Sequence, residues 1–283
     1  MPLVYKIYII QKVEIMNNDK KDKQYLNAHL ITWVGGKRLL RKRICELIPK
    51  NIKSYIEPFG GGGWVLFAKE KHATLEVYND LDNRLTNLFK IVKYHPQALI
   101  DELRFCFNSR LQFKEFLNST PRTEIQAAAK FIYLLHHSFG GKGSTYGTGI
   151  DGEKAAKSCF NLLDRINLIS KRLDKVHIEN LSFDELIPKY DTENAFFYCD
   201  PPYTQGIGYI TGNAKTFNHE LLRDILKDIK GRFVLSYDDS EKVRELYKDF
   251  DIIPVTRQKG INGKNRVNKD YKELSIKNYD DSS

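Results

Sequence analysis

The stretch SYIEPFGGGG, residues 54–63, decides the fold class of this chain. Ser54–Ile56 reads as a short strand, and Glu57 and Pro58 lead from it into a run of four glycines. An apolar segment with helical spacing follows at 64–68, and 74–78 alternates like a second strand. Strand, glycine turn, helix and strand in this order predict an α/β protein that binds a ligand at the glycine turn.

The chain returns to this alternation after a helical interruption. Apolar residues three or four positions apart predict helices over 99–117, 124–137 and 160–173. Further strands are predicted at 195–199, 233–236, 252–255 and 274–276, with helices at 219–230 and 241–248. Alternating strands and helices imply a mostly parallel, doubly wound sheet.

Three regions are predicted along the chain. Residues 1–28 form an N-terminal extension that ends in the polar run 17–23, with Met16 as a candidate start. Residues 29–94 and 176–283 form the sheet domain. Residues 95–175 form a helical insertion between its two halves.

Composition excludes several classes of protein. The chain has 283 residues, of which 41% are hydrophobic, and it carries 45 Lys and Arg against 36 Asp and Glu, so it is expected to fold rather than remain disordered. Its four cysteines lie far apart, which indicates neither a zinc site nor a disulfide framework and favours a reducing cytoplasm. No apolar run approaches the roughly 20 residues of a membrane helix.

Basic residues are concentrated in two clusters. Residues 37–53 contain seven basic and one acidic residue, and residues 257–277 contain seven basic and two acidic residues. Such clusters suit a surface that binds a polyanion, because each Lys or Arg that neutralises a phosphate releases a counterion. Solvated helix faces are the alternative, and charge alone leaves both interpretations open.

Asp80 is a candidate ligand for a nucleoside. It lies 80 − 60 = 20 residues after Gly60, at the end of the second predicted strand. An acidic side chain at that position can accept both hydroxyls of a ribose, so the pair predicts an adenosine-type cofactor. A tight turn followed by a helix cap is the alternative.

The tetrapeptide Asp200-Pro201-Pro202-Tyr203 carries the chemistry. It directly follows the apolar strand 195–199, and its prolines remove two N–H donors, which leaves carbonyls that only accept. The ligand that suits such acceptors is an amino group.

This pattern predicts how the amine would be activated. If Asp200 and the Pro201 carbonyl accept the two hydrogens of a nucleobase amine, its nitrogen moves towards tetrahedral geometry and can attack a methyl sulfonium. Tyr203 would stack on the base, contributing about 1–3 kcal/mol. A proline-terminated strand with an Asp cap is the alternative.

The motifs together resemble those of one enzyme family. They are WVGGK (33–37), EPFGGG (57–62), ND (79–80), YCDPPY (198–203), LSYD (235–238), ELY (245–247) and ELSIKNY (273–279). In this order the chain resembles the Dam-type (D12 class, alpha group) adenine-specific DNA methyltransferases, which place the glycine motif first, the target-recognition segment next and Asp-Pro-Pro-Tyr last.

The resemblance implies a function and a cofactor. The fold would be a Rossmann-like S-adenosylmethionine-dependent methyltransferase sheet with a helical target-recognition insertion. The methyl donor would be S-adenosyl-L-methionine, no metal would be needed, and the acceptor would be the 6-amino group of an adenine flipped out of double-stranded DNA. The residues expected to contact the cofactor are Trp33, Lys37, Glu57, Phe59, Gly60, Asp80 and Asp200. The resemblance also implies a cytoplasmic bacterial or phage protein, monomeric or weakly dimeric, with a cognate restriction endonuclease as a further partner.

The DNA-contacting loop departs from the family pattern. Family members usually carry Asn-Gly and Arg-Tyr-Asn-like residues after the helix that ends near Leu135, whereas this chain has HHSFGGK at 136–142. Phe139 and Tyr146 are candidates for an aromatic side chain inserted where the base leaves, and Lys142 for a phosphate contact. The segment 204–217 is predicted to order over the flipped base. The target sequence itself is not indicated.

Two other functions remain open from the sequence. One is a methyltransferase that acts on an amine in RNA or protein, since similar tetrapeptides occur in such enzymes. The other is a catalytically silent, basic nucleic-acid-binding protein that retains a relic cofactor fold. The long helical insertion argues against the first, and the full set Trp33, Lys37, Asp80 and Asp200 argues against the second.

Overall fold

A computed structural model describes residues 22, 24–25, 29–33, 35–147, 157–204, 217–257 and 271–280. The strands are β1 Ser54–Glu57, β2 Leu75–Asn79, β3 Val176–Glu179, β4 Ala195–Cys199, β5 Arg232–Asp238, β6 Asp251–Arg257 and β7 Tyr271–Lys277. The helices are α1 Arg41–Leu47, α2 Asn83–Tyr94, α3 Pro96–Leu103, α4 Arg110–Asn118, α5 Glu124–His137, α6 Cys159–Leu173, α7 Phe183–Tyr190, α8 His219–Lys227 and α9 Glu241–Leu246. Short 3₁₀ turns occur at Leu66–Ala68 and Phe139–Gly141.

The chain divides into two compact units. The first comprises residues 1–36, 62–72 and 87–175, and the second comprises residues 37–61, 73–86 and 176–283. All seven strands belong to the second unit, whereas helices α3 to α6 belong to the first. The assignment of 95–175 to target recognition remains a prediction about function.

The second unit is built on one seven-stranded sheet. Its strand order is β3-β2-β1-β4-β5-β7-β6. Strands β1 to β5 run parallel to one another, and β7 runs antiparallel to both β5 and β6. The strand order reverses between β1 and β4, as in a Rossmann-like sheet. The predicted α/β class and mostly parallel sheet are therefore confirmed.

The sheet core explains the apolar character of its central strands. All five residues of β4 are buried, as expected for a parallel strand covered on both faces. Phe197 of β4, Phe233 of β5 and Ile276 of β7 are each fully buried in the same cluster. The predicted bounds of β4 agree with the structure, because the strand is uniformly apolar and the polar Asp200 follows it directly.

The first unit is a group of helices with defined ends. Helix α3 packs against α5 and α6, and α4 packs against α5. The hydroxyls of Ser109, Thr123 and Ser158 each accept a hydrogen bond from the backbone N–H three residues later, which caps α4, α5 and α6. The predicted bounds of α5, 124–137, are confirmed.

Two predicted helices are wrong in detail. The segment 99–117 is two helices, because the Ser109 cap begins α4 after α3 has ended at Leu103. The helix predicted directly after the glycine run is a single 3₁₀ turn at Leu66–Ala68. Residues 64–68 are all buried, so this segment is apolar whatever its backbone conformation, and periodicity alone could not identify a helix.

Several predictions lie outside the described residues. These include Met16, most of the polar run 17–23, most of the segment 204–217, and residues 258–270 of the second basic cluster. Among the helices that the structure describes, none is long and apolar enough to cross a membrane.

Candidate functional site

The predicted site residues of the second unit meet at one edge of its sheet. Strands β1, β2 and β4 are adjacent and parallel, so their carboxyl ends lie side by side. The glycine motif follows β1, Asp80 follows β2 and Asp200 follows β4. Because the strand order reverses between β1 and β4, this edge is where open α/β sheets bind ligands.

Asp200 forms an ion pair with Lys37. The Lys37 Nζ lies 2.6 Å from Asp200 Oδ1, although the two residues are 163 positions apart in sequence. The Lys37 side chain is only 3% exposed and that of Asp200 is 18% exposed, so each charge needs the other. Burial raises the pKa of Asp200 to about 6, while the Lys37 ammonium acts in the opposite direction. The ion pair with Lys37 therefore favours the ionised form of this carboxylate.

Tyr203 is held on two sides. Its hydroxyl donates a hydrogen bond to Glu273 Oε2 on β7, at 3.2 Å, and Lys37 Nζ lies over its ring, 4.8 Å from the centroid. The next residue, Thr204, donates from its backbone N–H and its hydroxyl to the Asp238 carboxylate at 2.9 and 2.7 Å. The tetrapeptide is thus fixed at both ends.

Two hydrogen-bond acceptors of the tetrapeptide remain available. Among the described residues, no group donates a hydrogen bond to Asp200 Oδ2 or to the Pro201 carbonyl. Both acceptors belong to consecutive residues at the end of β4. A ligand amine could therefore donate one hydrogen to each of them.

The glycine motif is attached to the end of β2. Asp80 accepts hydrogen bonds from the backbone N–H groups of Gly61 and Asp82, each at 2.8 Å, and the Tyr78 hydroxyl donates to the Gly61 carbonyl at 2.7 Å. A Cβ atom at Gly60 would overlap the Tyr78 ring, so this position requires glycine. Burial raises the pKa of Asp80 to about 6.

The two other residues predicted beside the glycines differ in their surroundings. Phe59 is half-buried and lies 5.7 Å, between ring centroids, from both Phe183 and Phe217. Glu57 is buried within β1 and accepts a hydrogen bond from the Tyr55 hydroxyl at 2.6 Å. Phe59 can therefore form an apolar wall, whereas Glu57 is more enclosed.

The remaining candidates lie in the first unit. Trp33 packs edge-on against Phe131, with ring centroids 5.9 Å apart. Phe139 is 73% exposed, and Lys142 is exposed. Tyr146, in contrast, packs against Phe113 at 5.5 Å and lies beneath the Arg110 guanidinium. Of the two candidate aromatic residues, Phe139 is the one presented to solvent.

Glu273 is a site residue to which the sequence-based prediction gives no role. The available signal is a carboxylate directly before the short apolar strand predicted at 274–276, where a buried charge requires a partner. That partner, Tyr203, is 70 residues away in sequence, so only the strand pairing reveals it.

The residues of the second unit fit a nucleoside cofactor with a charged side chain. Gly60 and Gly61 bring backbone close to the edge, Asp80 provides a carboxylate beside them, and Asp200 provides a second one at the end of β4. Within the described part of the chain, no group of three His, Cys, Asp or Glu side chains is arranged as metal ligands would be.

Comparison with known proteins identifies relatives over most of the chain. It is 32% identical over 281 residues to the type II methyltransferase M1.LlaDCHI of Lactococcus lactis subsp. cremoris, an alignment that covers 87% of this chain and 94% of the relative. It is 30% identical to the type II methyltransferase M.MjaIII of Methanocaldococcus jannaschii, with 88% and 98% covered. It is 26% identical to the type II methyltransferase M.CviBI of Paramecium bursaria Chlorella virus NC1A, with 78% and 86% covered.

The family is assigned from a match to a family sequence model, which is more specific than similarity to single relatives. The sequence model of the D12 class N6 adenine-specific DNA methyltransferases matches residues 33–261, which include the glycine motif, Asp80 and the tetrapeptide. The match spans most of the chain and both units. This chain belongs to the D12 class of N6 adenine-specific DNA methyltransferases.

Proposed function

We propose that this adenine-specific DNA methyltransferase acts on an adenine extruded from duplex DNA, and that Asp200–Tyr203 hold its amino group. The observation that carries the proposal is the pair of available acceptors, Asp200 Oδ2 and the Pro201 carbonyl, on a tetrapeptide fixed by Lys37 and Asp238. S-adenosyl-L-methionine, the methyl donor of the family, supplies an electrophilic methyl group when bound.

Asp200 and Pro201 activate the amine by accepting its hydrogens. The lone pair of an exocyclic amine is delocalised into the ring, which makes it a poor nucleophile. Two acceptors aimed at its hydrogens favour tetrahedral nitrogen and return the lone pair to that atom. After the new N–C bond forms, the nitrogen loses one proton, and the ionised Asp200 carboxylate can receive it.

Tyr203 and Lys37 position the reacting groups. Tyr203 stacks on the adenine, a contact that contributes about 1–3 kcal/mol. Lys37 fixes the orientation of the Asp200 carboxylate through the 2.6 Å ion pair. Asp200 Oδ2 is thereby left to face a substrate.

The cofactor is assigned to the glycine motif and the neighbouring strand ends. Asp80 would accept the ribose hydroxyls, Gly60 would allow close approach of the ligand, and Phe59 would provide an apolar wall. Glu57, Lys37 and Asp200 complete the set in the second unit. Trp33, in the first unit, is a cofactor contact that the family resemblance implies, because an aromatic face attracts a positively charged sulfonium.

The adenine must be extruded because the site cannot reach its amine inside a duplex. The amine of a paired adenine is enclosed in the duplex, so a pocket at a sheet edge can reach it only after the nucleotide has swung out. The helical residues 95–175 are assigned to target recognition, and exposed Phe139 fits the side chain that fills the space left by the base. Lys142 is assigned to a phosphate.

The assay is transfer of a tritiated methyl group from S-adenosylmethionine to duplex DNA. We expect wild-type protein to label DNA and Asp200→Ala to lose at least about a hundredfold in rate, because an acceptor of the transition state is removed. The matched control is Asp249→Asn, which changes a carboxylate that is 66% exposed. Equal labelling by wild type and Asp200→Ala would refute the assigned site.

The substrate and partners need separate tests. Competition between duplex DNA and structured RNA in the same assay tests the preference for a duplex. Methylation-sensitive sequencing of DNA from a host that expresses the protein reports the modified base and its sequence context. The restriction endonuclease and the monomeric or weakly dimeric state, both predicted from the resemblance, remain proposals.

A further inference from the structure

The first unit contains an open cavity that the proposed reaction does not use. Its volume is about 240 Å³, many times the space that one water molecule needs. The cavity is lined by residues from three parts of this unit: His29 near the start of the described chain, His136 at the end of α5, and Lys157, Ser158, Asn161 and Arg165 at the start of α6.

The side chains around this cavity are mostly hydrogen-bond donors. Lys157 and Arg165 are cations, and two histidines and an asparagine add further N–H groups. Among the lining residues that the structure describes there is no Asp or Glu. Arg165 is half-buried and forms no ion pair with any described residue. The lining residues therefore bring positive charge to the cavity and no negative charge.

The His136 side chain is affected by burial and by these neighbouring cations. Its Nε2 is buried and has no hydrogen-bond partner among the described residues. Burial, reinforced by His137, Lys157 and Arg165, lowers the pKa of His136 to about 4. A buried polar atom without a partner costs free energy unless a ligand or water satisfies it.

The start of α6 adds to the positive potential. Helix α6 is 15 residues long, and its capping residue Ser158 and third residue Asn161 both line the cavity. The positive end of the helix dipole is therefore close to the cavity. Lys157 is held at the same place, because its ammonium donates to the backbone carbonyl of His136.

From these features we infer that the cavity between α5 and the start of α6 binds a phosphate group of the DNA backbone. The inference rests on the proposed function, since DNA is the polyanion that this enzyme must hold. Arg165 would donate to the phosphate oxygens with its planar fork, and Lys157 would supply a second charge. Asn161 would add a neutral donor. None of these groups reads a base, so the contact would act on every DNA sequence.

The test measures DNA binding without a methyl donor. A fluorescein-labelled duplex is titrated with wild type, Arg165→Gln, Arg165→Lys and the control Lys171→Gln, which changes an exposed cation in the last turn of the same helix. We expect Arg165→Gln to weaken binding about tenfold on both a methylatable and an unrelated duplex. The slope of log K against log salt should become shallower by about 0.9.

The control variants and inorganic phosphate distinguish a phosphate site for DNA from the alternatives. Arg165→Lys should keep most of the wild-type salt slope, because it keeps the charge, and Lys171→Gln should bind like wild type. Unchanged affinity and slope for Arg165→Gln, in protein with an unaltered circular dichroism spectrum, would overturn the inference. Stabilisation by inorganic phosphate at constant ionic strength, abolished in Arg165→Gln while DNA affinity is unchanged, would assign the cavity to a free anion and also overturn it.

Failure of the proposed function would look different. That proposal is tested by methyl transfer in Asp200→Ala, whereas the phosphate site is tested by binding alone. Retained transfer in Asp200→Ala together with weakened binding in Arg165→Gln would refute the catalytic assignment and support the phosphate site.

Discussion

The ion pair between Lys37 and Asp200 makes a prediction about pH. Asp200 must be ionised to accept the amine hydrogens, and its pKa is raised to about 6 by burial. Methyl transfer should therefore decline as the pH falls below about 6. In Lys37→Met the opposing influence of the ammonium is lost, so the acid limb of the pH profile should move to higher pH. Single-turnover rates between about pH 5 and 9 measure both profiles.

The control for this prediction is Lys248→Met, because Lys248 is 63% exposed and paired with Glu245 on the surface. Its acid limb should coincide with that of wild type. An acid limb in Lys37→Met at or below the wild-type position would contradict the assigned coupling between the two side chains.

At the scale of single residues, motifs in the sequence identify the site residues better than they identify the partners of those residues. Asp200 and Lys37 are both assigned to the site from motifs, and the structure joins them at 2.6 Å. The contact between Tyr203 and Glu273 depends on β7 lying beside β5, which no local pattern encodes. Residue type and spacing predict which groups reach a sheet edge, whereas strand pairing decides which of them touch.

At the scale of elements, the glycine motif depends on packing more than on helix geometry. No described α-helix follows it directly, and its conformation is fixed by Tyr78 and Asp80 of the neighbouring strand end. We therefore expect Gly60→Ala to force the Tyr78 ring and the loop apart, at a cost of about 1–3 kcal/mol in unfolding free energy. Binding of S-adenosylmethionine should weaken as well.

Gly140→Ala is the matched comparison. Gly140 has φ 64°, and a Cβ atom at this position would meet no atom within 4 Å beyond its neighbours in the chain. Its replacement therefore costs about 1–2 kcal/mol through backbone strain alone. Calorimetric titration with the cofactor should separate the two variants, with weakened binding in Gly60→Ala only. Cofactor affinity equal to wild type in Gly60→Ala would contradict the role assigned to the loop.

Elements with strong local signals can be predicted from the sequence, and those without them cannot. Helix α5 begins at a Thr123 cap and carries a regular apolar face, and its predicted bounds match the structure. The break between α3 and α4 depends on a single capping serine within a continuous periodic pattern. The turn at 66–68 is buried, and burial removes the polar face that would distinguish a helix.

For the whole molecule, family membership bears on the substrate class, and topology bears on the position of the last strand. Membership of an adenine-specific DNA methyltransferase class favours DNA over RNA or protein as the methylated substrate. The chain order of the motifs is that of the predicted alpha group, which remains a proposal. Topology also shows that the C-terminal strand β7 lies inside the sheet, between β5 and β6, and supplies Glu273 to the site.

The central position of β7 predicts how stability is distributed. Ile276 is fully buried and pairs with Leu235 on one side and Ile252 on the other. We expect Ile276→Ala to lower the free energy of unfolding by about 2–5 kcal/mol, because it leaves a cavity in the core. Ile252→Ala on the edge strand β6 should cost less, because Ile252 is only half-buried.

Urea unfolding followed by far-ultraviolet circular dichroism is the appropriate measurement. Both tryptophans, Trp33 and Trp64, lie in the first unit, so their fluorescence reports on that unit and not on the sheet. The circular dichroism midpoint of Ile276→Ala should fall further below wild type than that of Ile252→Ala. Equal shifts would contradict the larger stabilising role expected of the buried Ile276 side chain.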